Sequence, residues 1–489
     1  MKPFKLAQAA VCLVLTWSST LGQAQSGSAP VTRMQVQTQS DAPDLQCGLP
    51  PPKPRPPRPA DPDPVEWPTQ AEVDQQVQTY LKAASQRPEP APNEGPVAAP
   101  LWPRVGASLL RVGIWSDSHL AAGFFTQELQ RLSRLAPDQV RARFVPANLG
   151  RAGVRLPLRK TCVSPDWHYE PAHAQSDGAA YPGPGLVNMR SRQDGAWLAL
   201  DLRSASRRAE HALVRLLYQQ TERPILLALR VDDGPEQTIS LQGPQGPAVL
   251  ELAGQNGIST LALRVVQGTL RVQGLEWPVA PSVRLQMDVF GYPGATVGGW
   301  RHVRPESLAP WWPEPPYDLV VLAFGTNEGN VQPFNAQAYR QMLQASVSQW
   351  RAAFPQTACL LIAPGDRGVL LRRSQKGSKS APRGAEAAAP DVLRFTRVHD
   401  EIGRIQKQVA QANGCHAWSM FEAMGGAGSA YRWARHNPPL MARDLIHFTV
   451  PGYQRLAQLM AQDLGWGPAL FDPLPLPSPS PSPSPAANR

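Results

Sequence analysis

Four short apolar runs, at 107–115, 317–324, 359–363 and 415–421, each adjoin a longer segment of helical periodicity, and this alternation narrows the possible folds of the chain most sharply. The helical patterns fall at 121–135, at 336–353 behind a capping Asn335, at 392–412 behind Asp391, and at 452–464 after Pro451. Strands that alternate with helices build a parallel sheet covered on both faces. In such sheets a ligand sits beyond the carboxyl ends of the strands. Ser118 and Asn327 both stand just past such ends.

The segment 185–280 breaks this rhythm. Seven strand-like runs, at 196–202, 212–218, 225–231, 238–241, 248–252, 261–266 and 270–275, are punctuated by Asp-Asp-Gly, Gly-Pro and Gln-Gly turns. That spacing predicts an antiparallel β-sandwich. It would divide the α/β domain into a first part at 105–184 and a second at 281–471, and would pack beside the active-site face. A module there has carbohydrate as a candidate ligand, with Trp197 and Trp277 as candidate stacking surfaces; core packing is the competing and commoner role for either ring.

The chain begins with Lys2 and Lys5 ahead of an apolar stretch at 6–17, and Gly22-Gln-Ala24 offers small residues for cleavage. This is the pattern of a secretory signal peptide at 1–24. The stretch is shorter than a membrane span, and Cys12 lies inside it rather than after a cleavage site, so neither stable membrane insertion nor a lipid anchor is expected. A periplasmic or secreted location follows. Residues 25–104 form a proline-rich N-terminal region, with a polyproline-type linker at 49–59 and one short helical stretch near 73–84; 472–489 is a Pro/Ser-rich tail.

Loss of the two signal lysines takes the formal charge from +10 to +8. The surplus is diffuse and suits solubility or residence near an anionic polymer such as cell wall, and no nucleic-acid motif accompanies it. The basic residues Arg372, Arg373, Lys376, Lys379 and Arg383 either guide an anionic glycan or form a solvated loop. Four cysteines then remain, Cys47, Cys162, Cys359 and Cys415, enough for two disulfides in an oxidising compartment. Three connectivities are open; Cys359 with Cys415 is favoured, because both lie in strand-like runs that can be neighbours. The spacings fit no zinc site, and His168 and His173 do not match a metalloprotease helix, so no metal or other cofactor is expected.

The candidate chemistry lies in Val112-Gly-Ile-Trp-Ser-Asp-Ser-His119 and Asp444-Leu-Ile-His447. A serine at a strand end has its hydroxyl exposed over the sheet edge, and an Asp three residues before a His can hold the imidazole in the tautomer that takes the serine proton. Attack on an ester carbonyl makes an oxyanion, which needs donors already in place. The N–H of Ser118, the N–H of Gly294 in Phe290-Gly-Tyr-Pro-Gly-Ala-Thr296, and the amide of Asn327 in Phe324-Gly-Thr-Asn-Glu328 are the candidates. Asp117 is read as a brace for the nucleophile turn, and His119 and Glu328 as candidate substrate-binding residues.

The ordered set Ser118, Gly294, Asn327 and His447 resembles the SGNH branch of the GDSL hydrolases. The resemblance covers about 107–135 and 291–464. It implies a flavodoxin-like three-layer α/β/α domain, here with the β-sandwich inserted, and a Ser118–His447–Asp444 mechanism without a metal. Ser-Asp-Ser-His-Leu-Ala-Ala-Gly-Phe-Phe125, Gly-Thr-Asn-Glu328, Met424-Gly-Gly-Ala-Gly-Ser-Ala-Tyr-Arg-Trp433 and Asp444-Leu-Ile-His-Phe-Thr-Val-Pro-Gly-Tyr453 are similar to exported peptidoglycan O-acetylesterases. That implies an O-acetylated glycan substrate. Two positions depart from the family pattern: Ser116 replaces its first Gly, which would strain a tight turn, and Pro293 stands where Asn is frequent. Transfer of the acetyl group to another sugar, and wall binding by a degenerate hydrolase domain, are the competing readings.

Overall fold

The computed structural model describes residues 29–39, 43–47, 65–88, 95–102, 109–175, 182–203, 207–312, 316–372 and 389–471. The expected signal peptide, the linker at 49–59, the basic residues from Arg373 to Arg383 and the Pro/Ser tail lie outside them. Among the described residues no helix is long and apolar enough to cross a membrane.

The sheet that carries the candidate chemistry is parallel. Its order is His416–Ser419, Ala358–Ala363, Leu319–Ala323, Leu110–Ser116, Leu285–Gly291 and the short Val140–Arg141. Leu110–Ser116 is central, with Val112 beside Leu319 on one side and beside Met287 on the other. Leu319–Ala323 and Ala358–Ala363 are apolar without alternation because both faces of the sheet are covered. Val112, Ile114, Val321, Leu360 and Ile362 join one core cluster with Phe125 and Leu129 of helix Phe124–Leu132 and Leu456 and Met460 of helix Val450–Leu464. Trp115, Val320, Leu322 and Leu361 join another with Leu343 and Trp350 of helix Ala336–Ala353 and Ile402 and Val409 of helix Arg394–Ala412. Both disulfides form: Cys359 with Cys415 between neighbouring strand segments, and Cys47 with Cys162.

Helix Ala336–Ala353 begins where expected, since the Asn335 side chain accepts from the Ala338 N–H. The helix expected over 121–135 is instead broken. Ser118–Ala121 stops at Ala122, and Phe124–Leu132 starts after Gly123, whose φ of 78° is left-handed; a side chain there would also press on Arg155. The helix expected from 392 starts at Arg394, because the Asp391 carboxylate accepts from Leu393 and holds that residue outside the first turn.

The β-rich region is larger than 185–280. All seven expected runs there are strands, joined by an eighth, Val187–Ser191. They are distributed over two sheets that also recruit segments from earlier in the chain. Val31–Val36 pairs parallel with Gly246–Gly254, Phe144–Pro146 and His168–Pro171 add to the same sheet, and Lys160–Val163 joins the other. The boundary at 185 is therefore corrected: residues from 144 onward already belong to these sheets. Trp277 lies in their core, donating its indole N–H to Ala142 and stacked on His211.

The N-terminal region is likewise not only linker. Helix Gln70–Ala84 carries a complete capping box of Thr69 and Glu72 and buries Val73, Val77 and Tyr80 against the parallel-sheet core. Its Val73 and Val77 pack on Gly428, where a methyl group would collide with them.

Candidate active site

Ser118 opens the four-residue helix that follows the central strand, and Asp117 caps that helix by accepting from the His119 N–H at 2.9 Å. Three backbone bonds clamp the turn to its neighbours: Asp117 N–H donates to Ala323, Tyr292 N–H donates to Ser116, and Arg155 N–H donates to Ala121. The Ser118 N–H stands in the first helical turn, where no intrahelical acceptor exists. Asp117 is fully buried, and burial lifts its carboxyl to about 6 against hydrogen bonds from His119 and Thr326. It braces the turn, as expected. Ser116 is fully buried as the last residue of an ordinary strand, its φ not positive, so Ser in place of the family's Gly introduces no backbone strain.

His447 reaches this turn from the other end of the chain. Its Nε2 lies 3.1 Å from Ser118 Oγ, and its Nδ1 lies 2.7 Å from Asp444 Oδ2. The other Asp444 oxygen accepts from the Ile446 and His447 N–H groups, both at 3.0 Å. Leu445 makes this geometry possible. It is a buried residue at φ 57°, held there by bonds from its N–H to Ala442 and from Gly368 N–H to its carbonyl. Burial opposes ionisation of Asp444, but the bonds from His447 and Ile446 prevail and take its carboxyl down to about 2. The same bond to Asp444 raises His447 above its ordinary 6.5. Both side chains remain open to solvent, at 44% and 43% exposure, so the site is a surface feature that a bulky substrate can reach.

The three oxyanion candidates lie on adjoining turns. Tyr292 to Ala295 forms a turn closed by the Ala295 N–H on the Tyr292 carbonyl, with Pro293 and then Gly294 at φ 87°, the order a type II turn favours. The space over Gly294 is empty, with no atom within 4 Å of where a side chain would begin. The following residues are stapled to the next loop: Asn327 Nδ2 donates to Ala295 at 2.9 Å, and Glu328 Oε1 accepts from Val297 N–H at 2.9 Å. One Asn327 amide hydrogen is thus used to fix the side chain, leaving the second for a ligand.

Two expectations are corrected. His119 is closed off from solvent: it is buried beneath His447, ring centres 5.6 Å apart, and packs on Phe448 and Tyr453. Burial, and then the His447 charge, hold it down at about 3, so it is neutral at any working pH. Glu328 is equally out of substrate's reach, because it is buried with one oxygen committed to Val297 and the other unpartnered.

Burial raises the Glu328 carboxyl from 4.5 to about 7. A carboxyl whose folded value lies above its unfolded one penalises folding as it ionises: the penalty is absent below about pH 4.5 and complete above about pH 7. Glu328→Gln keeps the acceptor for Val297 and removes the charge. It is expected to be more stable relative to wild type at pH 8 than at pH 4, read as paired thermal unfolding curves; the same difference at both pH values would contradict this account.

Arg367 was missed by sequence reasoning. Its guanidinium stands near the pair formed by Asp444 and His447, and its positive charge acts on both. The available signal was its place in Pro364-Gly-Asp-Arg-Gly368, just past the carboxyl end of strand Ala358–Ala363. Asp366 fixes that loop by accepting from Thr396 Oγ1 at 2.7 Å and from Ala430 N–H at 2.9 Å.

Residues 270–455 match the model of the GDSL-like lipase/acylhydrolase family. The match contains Gly294, Asn327, Asp444 and His447 but not Ser118, whose strand the structure inserts between two strands of the matched segment. A solved structure of a peptidoglycan O-acetylesterase aligns with 76% of this chain and 97% of its own, at 22% identity and a TM-score of 0.55. A family two carbohydrate esterase from Clostridium thermocellum, in complex with cellohexaose, aligns with 59% of this chain and 99% of its own, at 10% identity and a TM-score of 0.24. A salicylyl-acyltransferase from a tetracycline biosynthetic pathway aligns with 63% and 98%, at 14% identity and a TM-score of 0.22. The last two scores are too low to bear on this chain. No curated protein matches it significantly. With the family's residue types in the family's order around one sheet end, residues 270–455 carry the match to the GDSL-like lipase/acylhydrolase family, and the chain is a carboxylic ester hydrolase.

Proposed function

We propose that this protein is an exported serine esterase that removes O-acetyl groups from peptidoglycan through an acetyl-serine intermediate. The observation that carries the reading is the continuous hydrogen-bonded line from Ser118 Oγ through His447 to Asp444 at an open surface. His447 Nε2 takes the Ser118 proton as Oγ attacks the acetyl carbonyl carbon. The oxyanion is met by the N–H groups of Ser118 and Gly294 and by the Asn327 amide. His447 returns its proton to the departing sugar oxygen. Water, activated by the same imidazole, then releases acetate and restores Ser118.

Five observations support the finer parts. Helices against both faces of a parallel sheet suit the flavodoxin-like three-layer arrangement, and the two β-rich sheets with a shared core suit a sandwich module. Two disulfides suit an oxidising, exported location. The peptidoglycan substrate is argued from the neighbour of that activity, which shares the fold over nearly its whole length, and from the exposure of the site to a polymer.

Asn327→Ala is expected to lower kcat on an acetyl ester by roughly 100-fold to 1,000-fold, the scale of one lost oxyanion donor. Steady-state rates on 4-nitrophenyl acetate check it. A kcat within a few-fold of wild type would remove Asn327 from the oxyanion site.

A further inference from the structure

Two guanidinium groups converge on one ring beside the site. Arg367 Cζ stands 3.8 Å and Arg394 Cζ 4.7 Å from the centre of the Phe395 ring. No carboxylate forms an ion pair with either among the described residues. The nearby acids are committed elsewhere: Asp391 to Arg397, Asp366 to Thr396 and Ala430, and Asp444 to His447 and two backbone N–H groups. Arg367 spends one nitrogen on Asn330, three residues beyond Asn327, while its Nε is buried without a partner. Two positive charges set against one aromatic ring repel each other, and an anion that reaches both offsets that repulsion. Burial and the Arg394 charge accordingly lower the Arg367 guanidinium to about 10. The unspent donors, the bidentate geometry of guanidinium and the repulsion all fit a carboxylate.

We propose that Arg367 and Arg394 form a carboxylate-binding subsite beside the triad, through which the enzyme selects acetyl esters carried on an anionic glycan. The inference rests on the esterase reading and specifies its substrate further: a carboxylate near the acetylated sugar, on a stem peptide or on a uronic acid. Binding of that carboxylate would hold the glycan while His447 and Ser118 act on the acetyl group, and would replace a repulsive pair by a bridged one.

The test compares kcat/KM for O-acetylated muropeptides with that for the same muropeptides after amidation of their carboxylates, using wild type, Arg394→Gln, Arg367→Gln and Arg394→Lys. The wild-type preference for the carboxylate form is expected to fall about tenfold in either Gln variant, the scale of a lost charge-assisted bond, and to recover in part in Arg394→Lys. O-acetylated oligogalacturonate against its methyl ester forms a second arm. An Arg394-dependent preference there alone places the carboxylate on the sugar and keeps the subsite. If wild type releases no acetate from either glycan, the peptidoglycan reading fails separately. The subsite is then read from inhibition of 4-nitrophenyl acetate hydrolysis by de-O-acetylated muropeptides and by oligogalacturonate, each against its carboxylate-blocked form. A preference that is the same in wild type and both Gln variants, in whichever of these measurements applies, overturns the proposal.

Discussion

Ser118→Ala is expected to lower kcat on every acetyl ester by roughly four to six orders of magnitude, the range found when the nucleophile of a serine hydrolase is removed. The fold should be untouched. The substitution removes only the Ser118 hydroxyl and leaves its backbone N–H in place, and the turn that carries it is held by Asp117 and by backbone bonds to Ala323, Tyr292 and Arg155. Thermal unfolding of the variant should therefore overlay that of wild type, and quenched mass spectrometry should find acetyl on the Ser118 peptide of wild type alone. A Ser118→Ala protein with wild-type turnover, or an acetylated wild type whose label sits on another residue, would remove Ser118 from the chemistry.

Asp444→Asn is expected to lower kcat by about 10,000-fold, because an amide can present its NH2 group to Nδ1 and impose the wrong tautomer on the imidazole. It should also move the pH profile. In wild type the bond to Asp444 raises His447 above 6.5, and only the neutral ring accepts the Ser118 proton. Activity should thus rise with pH through an inflection above 6.5, and the residual activity of Asp444→Asn should rise at a lower pH, since the stabilising carboxylate is gone. Rates from pH 5 to 9 measure both. An inflection that stays in place would mean that a group other than His447 governs the profile.

The parallel sheet was legible where an apolar run adjoins a helical pattern, as at Leu319–Ala323 and Ala358–Ala363, whereas strand Leu285–Gly291, with Gln286 and Asp288 and no helix directly after it, was not among the expected runs. Asn335 is the clearest case: an amide cap ahead of an amphipathic stretch identified helix Ala336–Ala353 to the residue. Ser118 and Asn327 stood out as candidates for a related reason, since both follow strand ends that can be found locally, whereas Gly294 stood out through its turn residues alone. What escaped were long-range relations. Nothing in Val31–Val36 announces that it pairs with Gly246–Gly254, more than two hundred residues away. The direction of a side chain escaped as well. His119 and Glu328 adjoin reacting residues in sequence, yet a one-residue step turns the side chain by about 100° in an α-helix and about 120° in a 3-10 turn, and both are buried. Arg367 has the opposite history: it is distant in sequence from every catalytic residue, and the Gly368 bond to Leu445 brings its loop against the Asp444–His447 turn.

Acetate release from O-acetylated peptidoglycan, measured side by side for wild type and Ser118→Ala with a small acetyl ester as reference, tests the central claim most directly. Release from both substrates by wild type, and from neither by Ser118→Ala, is the expected result. Hydrolysis of the small ester without any acetate from peptidoglycan would contradict the assigned substrate, and equal release by the two proteins would contradict the mechanism.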